Sequence, residues 1–355
     1  MTAKPASRSA KQTASSQASS SRGFDKELTE LEALTEALKE GTQPNPDQVA
    51  YLRSALGHRN NFLVAKAAKL VAGAELIALL PDVLTAYDRF FDDAIKTDPK
   101  CWAKEALAKT LVKLEYRQRD AYLRGMRHHQ LEPVMGGKSD SAGTLRATCA
   151  HALVDCPGIS DADLLTALLE PLTDTDKTVR MEAARAIAGV GGVSAVLILR
   201  LRAMLGPALG DQDNPEVEGA VFSALLSLEG ASAIPLVAAA LEDGNDTSAE
   251  AAFALADLRT PEALAVLKAR LRAGVDEWFG EVLLSAIALT RLPEALDFLI
   301  ATIERDSREA AEAIEAISRI APNEELRARV EQAVEQADSM RLRKALREHL
   351  PAVSG

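Results

Sequence analysis

Along most of this chain apolar residues recur three and four apart, in runs of ten to fifteen residues separated by polar turns. That spacing predicts amphipathic helices. The clearest copy runs from Asp174 to Leu199: an acidic turn, a small-residue helix, a glycine break at Gly189-Val-Gly-Gly192, then a second apolar helix. Weaker copies flank it. One such hairpin cannot bury its own apolar stripe, so the pattern predicts stacked copies with a shared core. Comparable positions fall at Val64, Trp102, Leu145, Val179, Val217, Ala249, Val282 and Ala310, at steps of 28 to 43 residues. Partner helices are expected at Ser160–Pro171, Val193–Leu205, Ala231–Leu241, Pro261–Ala273 and Pro293–Glu304. Helix starts are marked by Asn45-Pro46, Asp98-Pro99, Asn214-Pro215 and Thr260-Pro261, since proline at the first helical position lacks only an N–H that has no partner there. No alternating run with a hairpin turn is evident, and the array is expected to be all helix.

The ends differ. Leu28, Leu31, Leu34 and Leu38 make one stripe over Lys26–Glu40, halted by Gly41. From Asn323 to Leu350 two stripes, Leu326/Val330/Val334/Ala337 and Leu342/Leu346/Leu350, stand amid dense charge. A repeat array needs a wet outer face at each end, and these segments suit caps. Residues 1–22 carry Lys4, Arg8, Lys11 and Arg22 but no acid, among many serines and alanines. That composition predicts a disordered basic tail, with a likeness to a transit peptide. The expected organisation is a tail at 1–22, a repeat array at 23–322 with an irregular loop at about 128–144, and capping helices at 323–355.

The residues of the best copy, Asp174, Val179, Arg180, Ala183, Ala184, Ala186, Ile187, Gly189, Gly192 and Ala195, resemble the HEAT family, in its short bacterial form similar to the HEAT-like repeats of phycobilisome lyases. Asp213, Val217, Ala220, Ala224 and Leu225, and Asp243, Ala249, Ala251, Ala252, Ala254 and Leu255, support it over roughly residues 45–320. The resemblance implies an all-α fold, an α-solenoid of about eight antiparallel helix-hairpin repeats with a helical cap at each end. In that family Asp and Arg of neighbouring repeats tend to form an inner ladder. Here Arg180 matches, while Glu218 and Glu250 hold the comparable places, so a continuous ladder is not expected.

Composition narrows the function. Aromatics make up 4% against 47% apolar residues overall, so the core must be Ala, Leu, Val and Ile. A net charge of -11 repels phosphate backbones, and nucleic acid is not an expected partner. No run of 18 apolar residues predicts a membrane span. Cys101, Cys149 and Cys156 suit reduced thiols in a cytoplasmic protein. Cys149, Cys156 and the histidines lack the tight pairs of a zinc site, so neither a metal nor another cofactor is expected. Trp102 and Trp278 are expected to plug gaps left by alanines.

One stretch departs from the acidic background. Lys104, Lys109, Lys113, Arg117, Arg119, Arg124 and Arg127 face Glu105, Glu115 and Asp120, seven cations against three carboxylates, a local +4. His128-His129 and a long loop with Gly136, Gly137 and Lys138 follow. Long loops on a rigid frame often carry binding. Arg117, Arg124, Arg127, His128, His129 and Lys138 are therefore the candidate binding residues, for an anion or an acidic peptide. No catalytic residues are identified, and Gly189–Gly192 is no phosphate loop. The expected function is a non-catalytic protein–protein interaction scaffold offering a concave helical surface to a protein partner, not an enzyme. Two alternatives follow from the resemblance: a lyase-like or ligand-binding accessory protein with a pocket near Arg124–Gly137, and a HEAT-like DNA repair glycosylase.

Overall fold

The computed structural model describes residues 24–38, 42–206 and 214–351. The expected basic tail at 1–22, and Gly41, lie outside them. The chain divides into two compact units, with the boundary between Ile159 and Ser160.

In the first unit α1 spans residues 24–37, followed by α2 (Pro46–Leu56), α3 (Asn61–Gly73), α4 (Leu80–Arg89), α5 (Ala94–Thr97), α6 (Trp102–Lys113) and α7 (Arg119–Met126). Two strands, β1 (Leu131–Val134) and β2 (Gly137–Asp140), precede α8 (Gly143–Ala152). Local chemistry sets the starts. Asn45 and Gln48 form a reciprocal capping box on α2, with Pro46 as its first residue. The Asn60 side chain accepts the N–H groups of Phe62 and Leu63 at the head of α3. Helix α6 packs on α3, α4 and α8, and α7 packs on α8. Gly125 makes the last approach possible: a Cβ there would lie 2.3 Å from Tyr87 Oη and 2.4 Å from Cys149 Sγ.

The second unit is helical among its described residues: α9 (Asp161–Leu172), α10 (Lys177–Val190), α11 (Gly192–Leu205), α12 (Pro215–Glu229), α13 (Ile234–Ala239), α14 (Asp246–Leu258), α15 (Pro261–Arg272), α16 (Glu277–Leu289), α17 (Pro293–Glu304), α18 (Ala310–Arg319), α19 (Glu324–Ala337) and α20 (Met340–His349). The even-numbered helices α10 to α20 form a row in which each packs on the next even one. The odd-numbered helices α11 to α19 each pack against an even-numbered sequence neighbour. Side chains of Ser160, Asp176, Asn245, Thr260, Asp276 and Asn323 cap six of these helices. Among the described residues the stretch Pro215–Ala239 is long and apolar enough to cross a membrane by length and composition. Its Val217, Val221 and Leu225 are buried, and α12 packs on α10 and α14.

One burial pattern recurs in both units. Buried pairs separated by four and then three residues appear as Ala103-Lys104, Leu107-Ala108 and Thr110-Leu111 in α6. The same spacing gives Leu145-Arg146, Cys149-Ala150 and Ala152-Leu153 at α8, and Val179-Arg180, Ala183-Ala184 and Ala186-Ile187 in α10. In α12 it gives Val217-Glu218, Phe222 and Leu225. This register begins at Ala103, one residue past the aligned Trp102, and in α16 at Phe279, one residue past Trp278. Trp102 and Trp278 do not plug the core; they are 43% and 44% exposed. Trp102 lies 5.7 Å from Phe62 with Lys100 above its ring, and Trp278 stacks on Phe279. The second position of the first buried pair is instead polar in α6, α8, α10 and α12, as Lys104, Arg146, Arg180 and Glu218, and buried Ser248 holds the comparable place in α14.

Two further expectations are corrected. The chain is not helix alone, because the loop at 128–144 holds an antiparallel two-stranded sheet pairing Leu131 with Asp140 and Val134 with Gly137. Nor is Arg180 a lone ladder residue. Asp98 and Lys104, Asp140 and Arg146, and Asp174 and Arg180 repeat one six-residue spacing, each cation bonded to its aspartate: Lys104 Nζ to the Asp98 carboxylate at 3.0 Å, Arg146 to the Asp140 carboxylate at 2.6 Å, and Arg180 to the Asp174 carbonyl at 2.5 Å.

Gly125→Ala forces its new methyl into two buried side chains, and overpacking of this kind costs about 1–3 kcal/mol. Urea denaturation should show that loss, and an unchanged midpoint would contradict the close approach. Asp98→Ala strands the buried Lys104 ammonium. It should cost about 3–5 kcal/mol, with part recovered by adding Lys104→Met. Equal midpoints for single and double variants would show that the pair is not coupled.

Candidate interaction site

The β-hairpin is held at its base by polar groups that elsewhere would face water. Asp98 and Lys104 are fully buried. The Asp98 carboxylate accepts the N–H groups of Ala103 and Lys104 at 2.8 and 3.0 Å, so it caps α6 as well as pairing with the ammonium. Lys104 Nζ also donates to the Phe90 carbonyl at 3.1 Å, and Asn61 Nδ2 donates to Asp98 Oδ1 at 2.9 Å. Burial without these partners would cost several kcal/mol per charge.

Gln130 carries this network to the hairpin. Its Nε2 donates to the Asp98 carbonyl and to Glu132 Oε1, both at 2.7 Å. Glu132 Oε1 also accepts Ser141 Oγ and the Lys100 N–H, each at 2.6 Å. Burial favours the protonated Glu132 carboxyl, but donors from Ser141, Gln130 and Lys100, with the nearby Lys104 charge, hold its pKa below the ordinary value. At the other strand Asp140 accepts the N–H groups of Gln130 and Ala142 at 2.9 and 3.0 Å and His129 Nδ1 at 3.0 Å, besides Arg146. Burial again works against the charge. The two backbone donors, His129 and Arg146 outweigh it and bring Asp140 down to about 2. Both strands of the hairpin are thus pinned to α6 and α8 through charge-assisted bonds.

The six candidate binding residues are placed as follows. Arg124 lies 4.1 Å above the Phe91 ring and pairs with Asp88 at 3.0 Å. His128 meets the same ring edge-on at 5.0 Å and faces Gln130 Oε1 at 3.2 Å; its burial lowers its pKa. His129 sits on Asp140. Lys138 is exposed on β2 opposite Pro133, and Arg127 is exposed just past α7. Arg117 pairs with Glu115 at 3.8 Å and takes no part in the network. The local +4 is also offset from outside the run. Lys113 pairs with Glu75 and Arg124 with Asp88, while Lys104 is consumed by Asp98.

What the hairpin offers to solvent is its tip. Gly136, at φ 93°, turns the chain where a side chain would be strained. Beside it Met135 is fully exposed and Val134 half-exposed; Leu131, at the base opposite Asp140, is half-exposed as well. Sequence reading missed Asp98, Gln130, Glu132, Asp140 and Arg146; the recurring Asp-x5-Lys/Arg spacing was the signal that could have found Asp98, Asp140 and Arg146, while Gln130 and Glu132 carry no such mark. The polar groups near Arg124–Gly137 converge on one another. A cleft of about 390 Å³ lies elsewhere, lined by Asp276, Glu281, Glu312, Arg308 and Arg341 among others. Among the described residues no group of three or more His, Cys, Asp or Glu is placed to hold a metal ion. Cys149 is buried and its thiol pushed up to about 12.

No family model matches the chain, and no curated protein matches it. Among solved structures, one of human deoxyhypusine hydroxylase in complex with glycerol is similar at 18% identity, over 76% of this chain and 98% of that one, with a TM-score of 0.27. That finding corrects the reading that the chain is not an enzyme, because the protein it is similar to is a hydroxylase. At a TM-score of 0.27 the likeness carries no activity or site residue to this chain either.

Asp140 gives a pH dependence with a definite sign. Its folded-state pKa is depressed from 3.8 to about 2, so its contribution is complete above pH 3.8 and is lost as the pH falls towards 2. The shift corresponds to about 2 kcal/mol. Urea midpoints at both ends of that window should fall further for wild type than for Asp140→Asn. Parallel losses would show that the carboxylate is not held as described.

Proposed function

We propose that the chain is a helical-repeat scaffold that binds a protein partner, with the β-hairpin at 131–140 as its contact element. The observation that carries this reading is the contrast within the hairpin: a base fixed by buried, mutually satisfied charges and a tip that exposes Val134 and Met135. Binding residues are commonly displayed on a connection held by a rigid frame, and a fixed base lowers the ordering cost of association. Nothing in packing requires Met135 to be apolar.

The rows of alternating helices support an α-solenoid of HEAT-like hairpins as the frame, capped by α1 and by α19 with α20. The polar position shared by Lys104, Arg146 and Arg180 supports the same kinship. Lys138 is exposed beside the tip and Arg127 where the chain leaves α7, and no ion pair is seen for either among the described residues. They suit a partner whose apolar patch is rimmed by carboxylates, in keeping with the acidic peptide expected from the sequence. Arg124, His128 and His129 hold the base and act on the partner through the hairpin.

Affinity capture with wild type beside a Val134→Asp, Met135→Asp double variant tests this reading. A partner held through the tip should weaken at least tenfold in the variant, as expected for loss of a central apolar anchor, with the unfolding midpoint unchanged. Identical capture by both proteins would rule the hairpin out as the contact.

A further inference from the structure

Helix α11 turns an apolar ridge to solvent. Val193, Leu197, Leu201 and Leu205 recur every four residues, with Met204 beside the last. Val193 is 77% and Met204 73% exposed; Leu197 and Leu201 are more than half exposed. The opposite side is in use, since Ala195, Leu199 and Arg202 are buried and α11 packs on α10 and α12. Both of the helix's charges are paired within the chain, Arg200 at the border of the ridge and Arg202 beneath it. Arg200 grips the two Glu229 oxygens at 2.8 and 3.0 Å, and Arg202 meets Glu218 at 3.1 Å in the interior. The ridge therefore carries no unpaired charge in a chain of net charge -11, its one bordering cation being held by Glu229. Other odd-numbered helices differ: α17 exposes Asp297 and α19 exposes Glu331.

We propose that α11 is the surface through which two copies of this chain associate, ridge against ridge about a twofold axis. Two features favour a second copy over a different partner. First, the ridge reads alike in both directions. Reversal places Val193 opposite Leu205 and Leu197 opposite Leu201, which is the self-matching that a twofold contact requires. Ridges of four-residue spacing interdigitate with one another when helices cross at about 50°. Second, the charge and size fit. A partner helix with unpaired charges would lose hydration here and find no free counter-ion, whereas an identical ridge brings only a charge that Glu229 already pairs. At roughly 100 Å² of exposed surface for each of five side chains, the ridge supplies about 500 Å², the apolar centre of the roughly 800 Å² each partner gives a standard interface.

Sedimentation of the full chain across a wide concentration range tests the assignment. Wild type should approach twice the chain mass. Leu197→Lys with Leu201→Lys should weaken the dimer at least a hundredfold while leaving the unfolding midpoint in place, because both positions face solvent. A mixture of Leu197→Cys and Leu201→Cys chains should form a disulfide between unlike chains in preference to like ones. The proposal is overturned by a monomer at every concentration, in which case a partner of another kind covers the ridge. A dimer that survives both lysines overturns it too.

Discussion

The frame depends on one repeated constraint: a cation buried in the first turn of a helix must find its counter-charge or acceptor within the chain that leads into that helix. Lys104 finds Asp98, Arg146 finds Asp140, and Arg180 finds the Asp174 carbonyl, each six residues back. The cost of burying the charge makes the bond obligatory, and the bond fixes how the preceding connection enters the helix. Where the cation is absent the same position is met otherwise. Glu218 takes Arg202 from α11, and Ser248 donates to the Ala240 carbonyl. Burial holds the Glu218 carboxyl above its ordinary pKa despite that arginine.

In the first unit this constraint has been extended into a site. Asp98 and Asp140 each bind more than their cation: one holds Asn61 and the head of α6, the other Gln130, Ala142 and His129. Gln130 joins them through its own side chain. The hairpin is consequently stiff where it leaves the helices and bare where it turns, and that combination makes it a contact element. Phe91 adds to the support, with Arg124 over its ring, Lys104 5.7 Å from its centre, and His128 and Tyr87 at its edge. Cations on a ring face contribute about 0.5–2 kcal/mol each.

The helices were legible because their signals are local. Asn45-Pro46, Thr260-Pro261 and the Leu326/Val330/Val334 stripe each state a start or a face within a few residues. The hairpin was not legible. Pro133 gives no N–H, β2 is Gly-Lys-Ser-Asp, and neither strand alternates, so its pairing depends on the turn at Gly136 and on anchors outside the strands. Lys104 read as one more surface lysine, since burial of lysine is rare unless a partner waits for it. That partner lies in the preceding turn, and only the register of the buried pairs reveals that the two meet. Of the six candidate binding residues, four fall in or against the hairpin's supports, while Arg117 stands apart and Arg127 remains at the surface. Their positive charge was visible in the sequence; the carboxylates that answer it come from elsewhere in the chain, Glu75 from the turn after α3 and Asp88 from α4.

Amide hydrogen exchange on the whole chain tests most directly whether buried charge fixes the hairpin to its frame. The N–H groups of Ala103, Lys104, Gln130 and Ala142 should be protected to the level of the α6 and α8 interiors, while those of Met135 and Gly136 exchange nearly as fast as in an unfolded peptide. Exchange at Gln130 and Ala142 as rapid as at the tip would contradict the account.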